Sequence, residues 1–293
     1  MTIMFRNMLV ATDLSEASEQ VIGTVAGFRA FGTRRVVLVY CIGIRDAGVP
    51  ADGLMDLARP SLERQKKLLE EQGFQVKTKL VLGLPQVEIN RQADEHRCSL
   101  IVVGSHGRTM AGEIMLGGVA CAVVYSARRP VLLLRVRLKD EQGAAVGKKA
   151  APALLEHVLF PTDFSDNAEH AFSYLKKIAR CGAERITLLH VQDQGRIDRH
   201  LRDRLEEFNR IDTGRLERLK AELTKRGVQS VGIELLYGSP KQEIIERTKR
   251  DHVSLVVMGS QGRGYVAELF LGSVSHAVAR RSSVPVLLIP AIL

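Results

Sequence analysis

Short aliphatic blocks alternate with longer amphipathic stretches along the whole chain. Val36-Val37-Leu38-Val39 and Val286-Leu287-Leu288-Ile289 are apolar without polar interruption, as expected of strands buried on both faces of a parallel sheet. In the first half such runs predict strands near Met8–Ala11, Arg35–Cys41, Val76–Val81, Leu100–Val103 and Val131–Arg135. The amphipathic stretches between them predict helices near Glu16–Phe31, Gly53–Gln72, Pro85–His96 and Gly117–Ala127. Ser15 and Ser165 stand where an N-cap belongs. Pro85 and Pro240 stand where a first helical turn tolerates proline. Regular alternation of strand and helix implies an α/β fold with right-handed crossovers. Each half is expected to be an open five-stranded parallel sheet with helices on both faces, related to the Rossmann architecture.

The pattern occurs twice. Asn7-Met-Leu-Val-Ala-Thr-Asp13-Leu-Ser15 matches His157-Val-Leu-Phe-Pro-Thr-Asp163-Phe-Ser165 at an offset of 150 (163 − 13). Gly83-Leu-Pro85 matches Gly238-Ser-Pro240, and Pro130-Val-Leu-Leu-Leu134 matches Pro285-Val-Leu-Leu-Ile289, both at 155 (240 − 85). A net insertion of five residues therefore lies between the second and third strands, in a helix or its approach; length added at the surface costs little. Residues 137–152 hold Lys, Gly and Ala without apolar period and are expected to link a first domain, 1–136, to a second, 153–293.

Composition changes this picture little. The 293 residues are 45% apolar and 26% charged, which excludes a disordered chain and gives each half enough length for its own core. No apolar stretch approaches membrane-spanning length, and Met1 to Asp13 lacks a signal-peptide core, so a cytoplasmic protein is expected. Cys41, Cys98, Cys121 and Cys181 have no paired spacing and read as reduced thiols, with neither zinc nor disulfides. The net charge of +9 raises the question of nucleic acid. The basic residues are interleaved with acids, however. Arg196, Arg199, Arg202, Arg204 and Arg210 alternate with Asp198, Asp203, Glu206, Glu207 and Asp212, the pattern of a solvated helix face. No aromatic-basic interleaving accompanies them, which argues against a single-strand-binding surface.

The chemistry lies in a duplicated glycine spacing. Gly104-Ser-His-Gly107 is followed by nine residues and Gly117; Gly259-Ser-Gln-Gly262 is followed by nine residues and Gly272-Ser273. Each follows an apolar run and leads into a predicted helix. Glycines there let backbone amides approach a phosphate closely, and the helix dipole favours its charge. If the first and fourth strands are neighbours, Asp13 meets the Gly104 loop and Asp163 the Gly259 loop at the carboxyl ends of the strands. A carboxylate there can accept ribose hydroxyls while the loop holds phosphate.

On these motifs the chain resembles the universal stress protein family in its tandem two-domain form. The resemblance covers both repeats and leaves out only the linker and the extreme ends. It rests on the complete second motif (Gly259, Gly262, Gly272, Ser273), on Pro161-Thr162-Asp163-Phe164-Ser165 after the first strand, and on Leu189-His190-Val191 at the end of the second. It implies an adenine-nucleotide α-hydrolase-like fold binding ATP, ADP or AMP, with magnesium as a companion ion. By that analogy Asp163, with Pro161 and Thr162 beside it, faces the ribose or base, and the main chain of Val191 meets the adenine edge. Gly259, Gly262, Arg263, Gly272, Ser273, Val274 and Ser275 surround the phosphates. The matching first-half positions are Thr12, Asp13, Cys41, Gly104, Gly107, Gly117 and Gly118. The resemblance also implies a stress-response role exerted through an unidentified protein partner. It implies pairing of the two halves through their last strands, near Val131–Arg135 and Pro285–Ile289, with self-association of the whole chain as a further expectation.

The first half departs from the pattern. Gly118 stands where the second half has Ser273, and Ala120 where it has Ser275. A hydrogen bond to a charged group contributes roughly 1.5–3 kcal/mol, so losing one weakens binding by about tenfold to a hundredfold. The expectation is an ATP site in the second half and a weaker or empty one in the first. Each glycine loop also has a plain reading as a turn, and Asp13, Asp163 and Ser273 as helix caps. His106, Arg108 and Arg263 have one as solvated loop residues, and Glu113 and Glu268 as surface acids rather than magnesium or water holders. Cys41 reads by default as a small buried hydrophobe. A slow ATP hydrolase is the competing function, opposed by the absence of a Gly-x4-Gly-Lys-Ser/Thr loop. A structural interaction module without nucleotide is the third, opposed by the complete second motif.

Overall fold

The computed structural model describes residues 3–43, 51–105, 116–135, 154–200, 202–262 and 271–291. Two units divide the chain, Met1–Pro152 and Ala153–Leu293. The first contains β1 (Asn7–Thr12), α1 (Glu16–Thr24), β2 (Arg35–Ile42), α2 (Ala51–Glu71), β3 (Gln75–Leu82), α3 (Pro85–Glu95), β4 (Leu100–Gly104), α4 (Gly118–Ser126) and β5 (Val131–Leu134). Its strands lie in the order β3-β2-β1-β4-β5, every pair parallel. The apolar runs form the centre: Leu9, Val10, Leu38, Ile101, Val102 and Leu133 are all at or near zero exposure. Helix α1 packs on α2 and α3 on α4, which is what right-handed crossovers running outward from a central β1–β4 pair produce.

The second unit repeats this with β6 (His157–Pro161), α5 (Asp166–Arg180), β7 (Arg185–Asp193), α6 (Gln194–His200), α7 (Leu205–Thr224), β8 (Ser230–Gly238), α8 (Pro240–Arg250), β9 (Leu255–Gly259), α9 (Ser273–Arg281) and β10 (Val286–Ile289). Its order is β8-β7-β6-β9-β10, again parallel. In both units the strand order reverses between the first and fourth strands. A crevice therefore opens beyond their carboxyl ends.

The structure departs from the sequence expectation in two places within the fold. The stretch Glu16–Phe31 is not one helix: α1 ends at Thr24, and Val25–Phe31 continue as a 3-10 helix closed by Gly32 at φ 81°. The tighter winding stacks residues three apart, bringing the buried Phe28 and Phe31 rings to 5.4 Å between centroids. The Thr24 hydroxyl donates to the Val21 carbonyl at the changeover. In the second unit α6 and a 3-10 turn at Arg202–Arg204 separate β7 from α7, the region where the repeat offset changes. The segments 44–50 and 137–152, the latter being the expected linker, lie outside the described residues. Among the described residues no helix is long and apolar enough to cross a membrane.

Candidate functional site

The turn after the first strand is built alike in both units. Beyond Pro161, the last residue of β6, the Thr162 amide donates to the Leu189 carbonyl at 2.9 Å, the final main-chain bond between that segment and β7. Asp163 follows, and its Oδ1 accepts from the Ser165 amide at 3.1 Å and the Ser165 hydroxyl at 2.6 Å. Ser165 Oγ in turn accepts from the Ala168 amide at 3.2 Å, capping α5. Between them Phe164 sits at φ 58°, a left-handed conformation that costs a bulky residue of order 1–3 kcal/mol. The first unit has the same device, with Leu14 at φ 60°. There Asp13 Oδ1 is bonded by the Ser15 amide and by the hydroxyls of Ser15 and Ser18. Ser165 and Ser15 are thus N-caps as expected, and each also holds the candidate ribose carboxylate.

The glycine loop closes against this turn. A methyl group at Gly262 would lie 2.6 Å from Asp163 Oδ2. At Gly259 it would lie 3.1 Å from the Gln261 carbonyl and 3.2 Å from that of Asn167. At Gly272 it would lie 3.4 Å from Gly262 N. The three glycines and Asp163 therefore share one cradle, and their missing side chains let two loops meet. The loop is fastened by Ser260, whose amide donates to the Ile289 carbonyl and whose carbonyl accepts from the Gly272 amide, both at 2.7 Å. Ser105 does the same in the first unit, between the Leu134 carbonyl and the Gly117 amide, both at 2.9 Å.

These bonds redistribute the expected roles. The Gly272 amide is engaged with Ser260, so Gly272 contributes close approach rather than a donor. The first intrahelical bond of α9 runs from the His276 amide to the Gly272 carbonyl at 2.8 Å, and no side chain caps the helix. The amides of Ser273, Val274 and Ser275 precede that bond and have no intrahelical acceptor. Three donors at the positive end of a helix dipole face the cradle, beside the exposed Ser273. Ser275 is corrected as a hydroxyl donor to phosphate: it is buried, and its hydroxyl donates to the Gly259 carbonyl at 2.8 Å. It contributes an amide and pins the loop. Ala120 therefore deprives the first unit of a loop fastener. Gly118, which is exposed with open space where a side chain would be, deprives it of the hydroxyl at the helix entry.

At the far end of its own unit's crevice stands one strand residue in each case, Val191 in the second unit and Cys41 in the first. In a strand, residues two apart direct their main-chain groups to the same neighbour. Leu189 bonds the segment after β6, so Val191 faces the same way, past the end of β6. Cys41 is the matching residue on β2, half-buried. Burial first, and Glu88 second, push its thiol up to about 12 against a smaller opposing effect of Arg91. It is a protonated apolar side chain at neutral pH. Gly104 ends β4, and Gly117 caps α4 without a side-chain partner. Thr12, at the end of β1, donates from its hydroxyl to Gln65 Oε1 at 2.7 Å. Gly107, His106, Arg108, Glu113, Arg263 and Glu268 lie outside the described residues.

One group escaped the sequence reading. Asp212 looks like part of a solvated charged face, yet it is buried on α7 in line with Leu216 and Leu223. It is polar because it has partners: Gln192 Nε2 at 3.1 Å, Arg215 Nη1 at 3.3 Å and His190 Nε2 at 3.5 Å. The one available hint was its four-residue spacing from Leu216 on the apolar stripe.

Comparison with known proteins bears on the family and the fold. The profile of the universal stress protein family matches residues 4–135 and again 155–290. A universal stress protein of Methanocaldococcus jannaschii is 30% identical over 158 residues, 46% of this chain and 98% of that protein. One from Mycolicibacterium smegmatis is 25% identical over 302 residues, covering 96% of each chain. The crystal structure of a universal stress protein from Archaeoglobus fulgidus superposes with a TM-score of 0.74 across 98% of this chain and 96% of that one; at 24% identity this likeness concerns the fold.

Proposed function

The chain belongs to the universal stress protein family, as two tandem copies, and from that premise we propose that it binds an adenine nucleotide, ATP foremost, chiefly in its second unit. The observation that carries this reading is the set of uncapped amides at Ser273, Val274 and Ser275, set beside Gly259 and Gly262, where a Cβ would press on the Gln261 and Asn167 carbonyls and on the Asp163 carboxylate. In the same unit α5 is closed by the Ser165 side chain while α7 and α8 are also uncapped, so the glycine loop beside it is what sets α9 apart. An open helix end backed by Gly259, Gly262 and Gly272 fits a phosphate chain, whose oxygens are acceptors only.

In this reading the residues divide the ligand between them. The α9 amides and the Ser273 hydroxyl bind phosphate, with Arg263 of the same loop and a magnesium ion screening its charge. Asp163, oriented by Ser165, accepts from ribose hydroxyls. The main chain of Val191 meets the adenine edge. Thr12, Asp13, Cys41, Gly104, Gly107, Gly117 and Gly118 form the weaker counterpart in the first unit.

No step of hydrolysis is assigned. The bound nucleotide acts on conformation: it orders the glycine loop and the helix entry, and so changes the surface offered to a protein partner in the stress response. A ligand does this only by binding one conformation better than another. The test is calorimetric titration with ATP, ADP, AMP and adenosine, together with hydrogen exchange. Affinity is expected to fall as phosphates are removed, and Ser273→Ala to weaken ATP by roughly tenfold. ATP is expected to slow exchange in the Gly259–Ser275 segment. Adenosine binding as tightly as ATP, or unchanged exchange there, contradicts the reading.

A further inference from the structure

Among the described residues the His190–Asp212 cluster behind the second-unit crevice is not repeated in the first unit, where Thr12 bonds the buried Gln65 instead. His190 donates from Nδ1 to the Thr162 carbonyl at 2.7 Å, and its Nε2 lies 3.5 Å from Asp212 Oδ2. Asp212 is steadied by Gln192 and Arg215. The Arg215 guanidinium covers the Phe164 ring at 5.3 Å, and that ring packs on His190 at 4.6 Å between centroids. Strand register makes Tyr40 the counterpart of His190, and the buried pairs Leu62/Leu216 and Leu69/Leu223 make Ala58 the counterpart of Asp212. Neither replacement reproduces an imidazole–carboxylate pair.

The Thr162 carbonyl is the group this cluster controls. Continuing the β6–β7 ladder by one step would turn that carbonyl to the Val191 amide. Instead the imidazole takes it, and among the described residues no main-chain bond joins Val191 to Thr162. The ladder stops after the bond from Thr162 to Leu189, and the chain turns into the left-handed Phe164 and on to Asp163's anchor. The Val191 amide is thereby left facing the crevice, where a ring nitrogen of a heteroaromatic base is a suitable acceptor.

Resting on the nucleotide reading above, we propose that His190 and Asp212 are positioning residues for the base half of the second-unit site. They hold the Thr162 carbonyl out of the strand ladder and so keep the Val191 amide available to the base. Their hydrogen-bond partners Thr162, Gln192 and Arg215 are not among the proposed phosphate-binding residues, so their loss is expected to affect recognition of the base and not of the phosphate chain.

The experiment compares the full-length wild type with His190→Leu, Asp212→Ala and Asp212→Asn. ATP and inorganic tripolyphosphate are titrated into each, and hydrogen exchange is followed in the ligand-free proteins. His190→Leu and Asp212→Ala are expected to weaken ATP by about tenfold or more and to leave tripolyphosphate unchanged. Asp212→Asn, which keeps an oxygen toward His190 and Arg215, restores most of the ATP affinity. In the ligand-free variants exchange quickens at Asp163, Phe164 and Ser165 before it does in β8. Equal loss of ATP and tripolyphosphate marks a merely structural role and overturns the proposal, as does ATP affinity unchanged in every variant. A wild type that binds neither probe overturns the nucleotide reading instead, and exchange in the turn still decides whether the pair holds it.

Discussion

A Cβ at Gly262 would lie 2.6 Å from Asp163 Oδ2, so the carboxylate must shift to admit it. Gly262→Ala is therefore expected to displace the Asp163 carboxylate from its present position and weaken ATP on the order of tenfold, equivalent to ~1.4 kcal/mol. The melting temperature should fall little, because the loop lies outside the sheet; calorimetry beside thermal melting separates the two effects. Cys41 is expected to resist alkylation. A folded-state value raised to about 12 means that the folded protein holds the thiol proton more tightly than the unfolded chain. The associated stability is present below the ordinary thiol value and is lost as pH rises from there toward 12. Iodoacetamide at pH 8 should modify Cys41 far more slowly in the native than in the denatured chain; equal rates would contradict its burial. Chain spacing disclosed the glycines and the strand-end aspartates, because a tight loop needs those residue types at those intervals. It could not disclose Ser275 turning its hydroxyl onto the Gly259 carbonyl, or Asp212 turning inward. Both depend on which side of a helix faces the sheet and on partners far away in sequence.

Side-chain caps close some helix entries and not others; α3, α7 and α8 lack one, as do the two helices that follow the glycine loops. α1 and α5 are capped by Ser15 and Ser165, while α4 and α9 start at Gly117 and Gly272 without side-chain caps. Ser165→Ala should cost about 0.5–2 kcal/mol in urea unfolding, and it should also weaken ATP because Asp163 loses the hydroxyl bond and keeps only the amide of residue 165 from this cap. Ser15→Ala should disturb its own turn less, since Asp13 keeps the Ser18 hydroxyl. Equal exchange rates in the two mutated turns would count against this difference. The strands were legible nearly residue for residue, because continuous Val, Leu and Ile runs between turn signals admit few alternatives. Helix ends were less so. The change from α1 to 3-10 winding at Thr24 is set by the packing of Phe28 on Phe31, a tertiary preference that local periodicity does not carry. The net insertion was placed between the second and third strands, where the second unit carries α6 and a 3-10 turn whose form local periodicity did not disclose.

Duplication gives the protein two copies of one scaffold whose candidate sites differ in sequence. The same loop fastening survives in both, at Ser105 and Ser260, so the first unit has kept the frame of the site. What differs is the Ser273 hydroxyl, the Ser275 fastener and the His190–Asp212 pair, all confined to the second unit. Gly118→Ser with Ala120→Ser should tighten the first site by roughly tenfold, with Gly118 offering open space for the new side chain. No gain would mean that the base half of the first site, where Tyr40 and Ala58 stand, limits its binding. The most direct test of a phosphate cradle in the second unit is a calorimetric titration of ATP with magnesium into the full chain and into its Gly262→Ala variant. Expected is one dominant site per wild-type chain, weakened by that single methyl group. Two sites of equal affinity in the wild type, or a variant that binds as tightly as its parent, would contradict it.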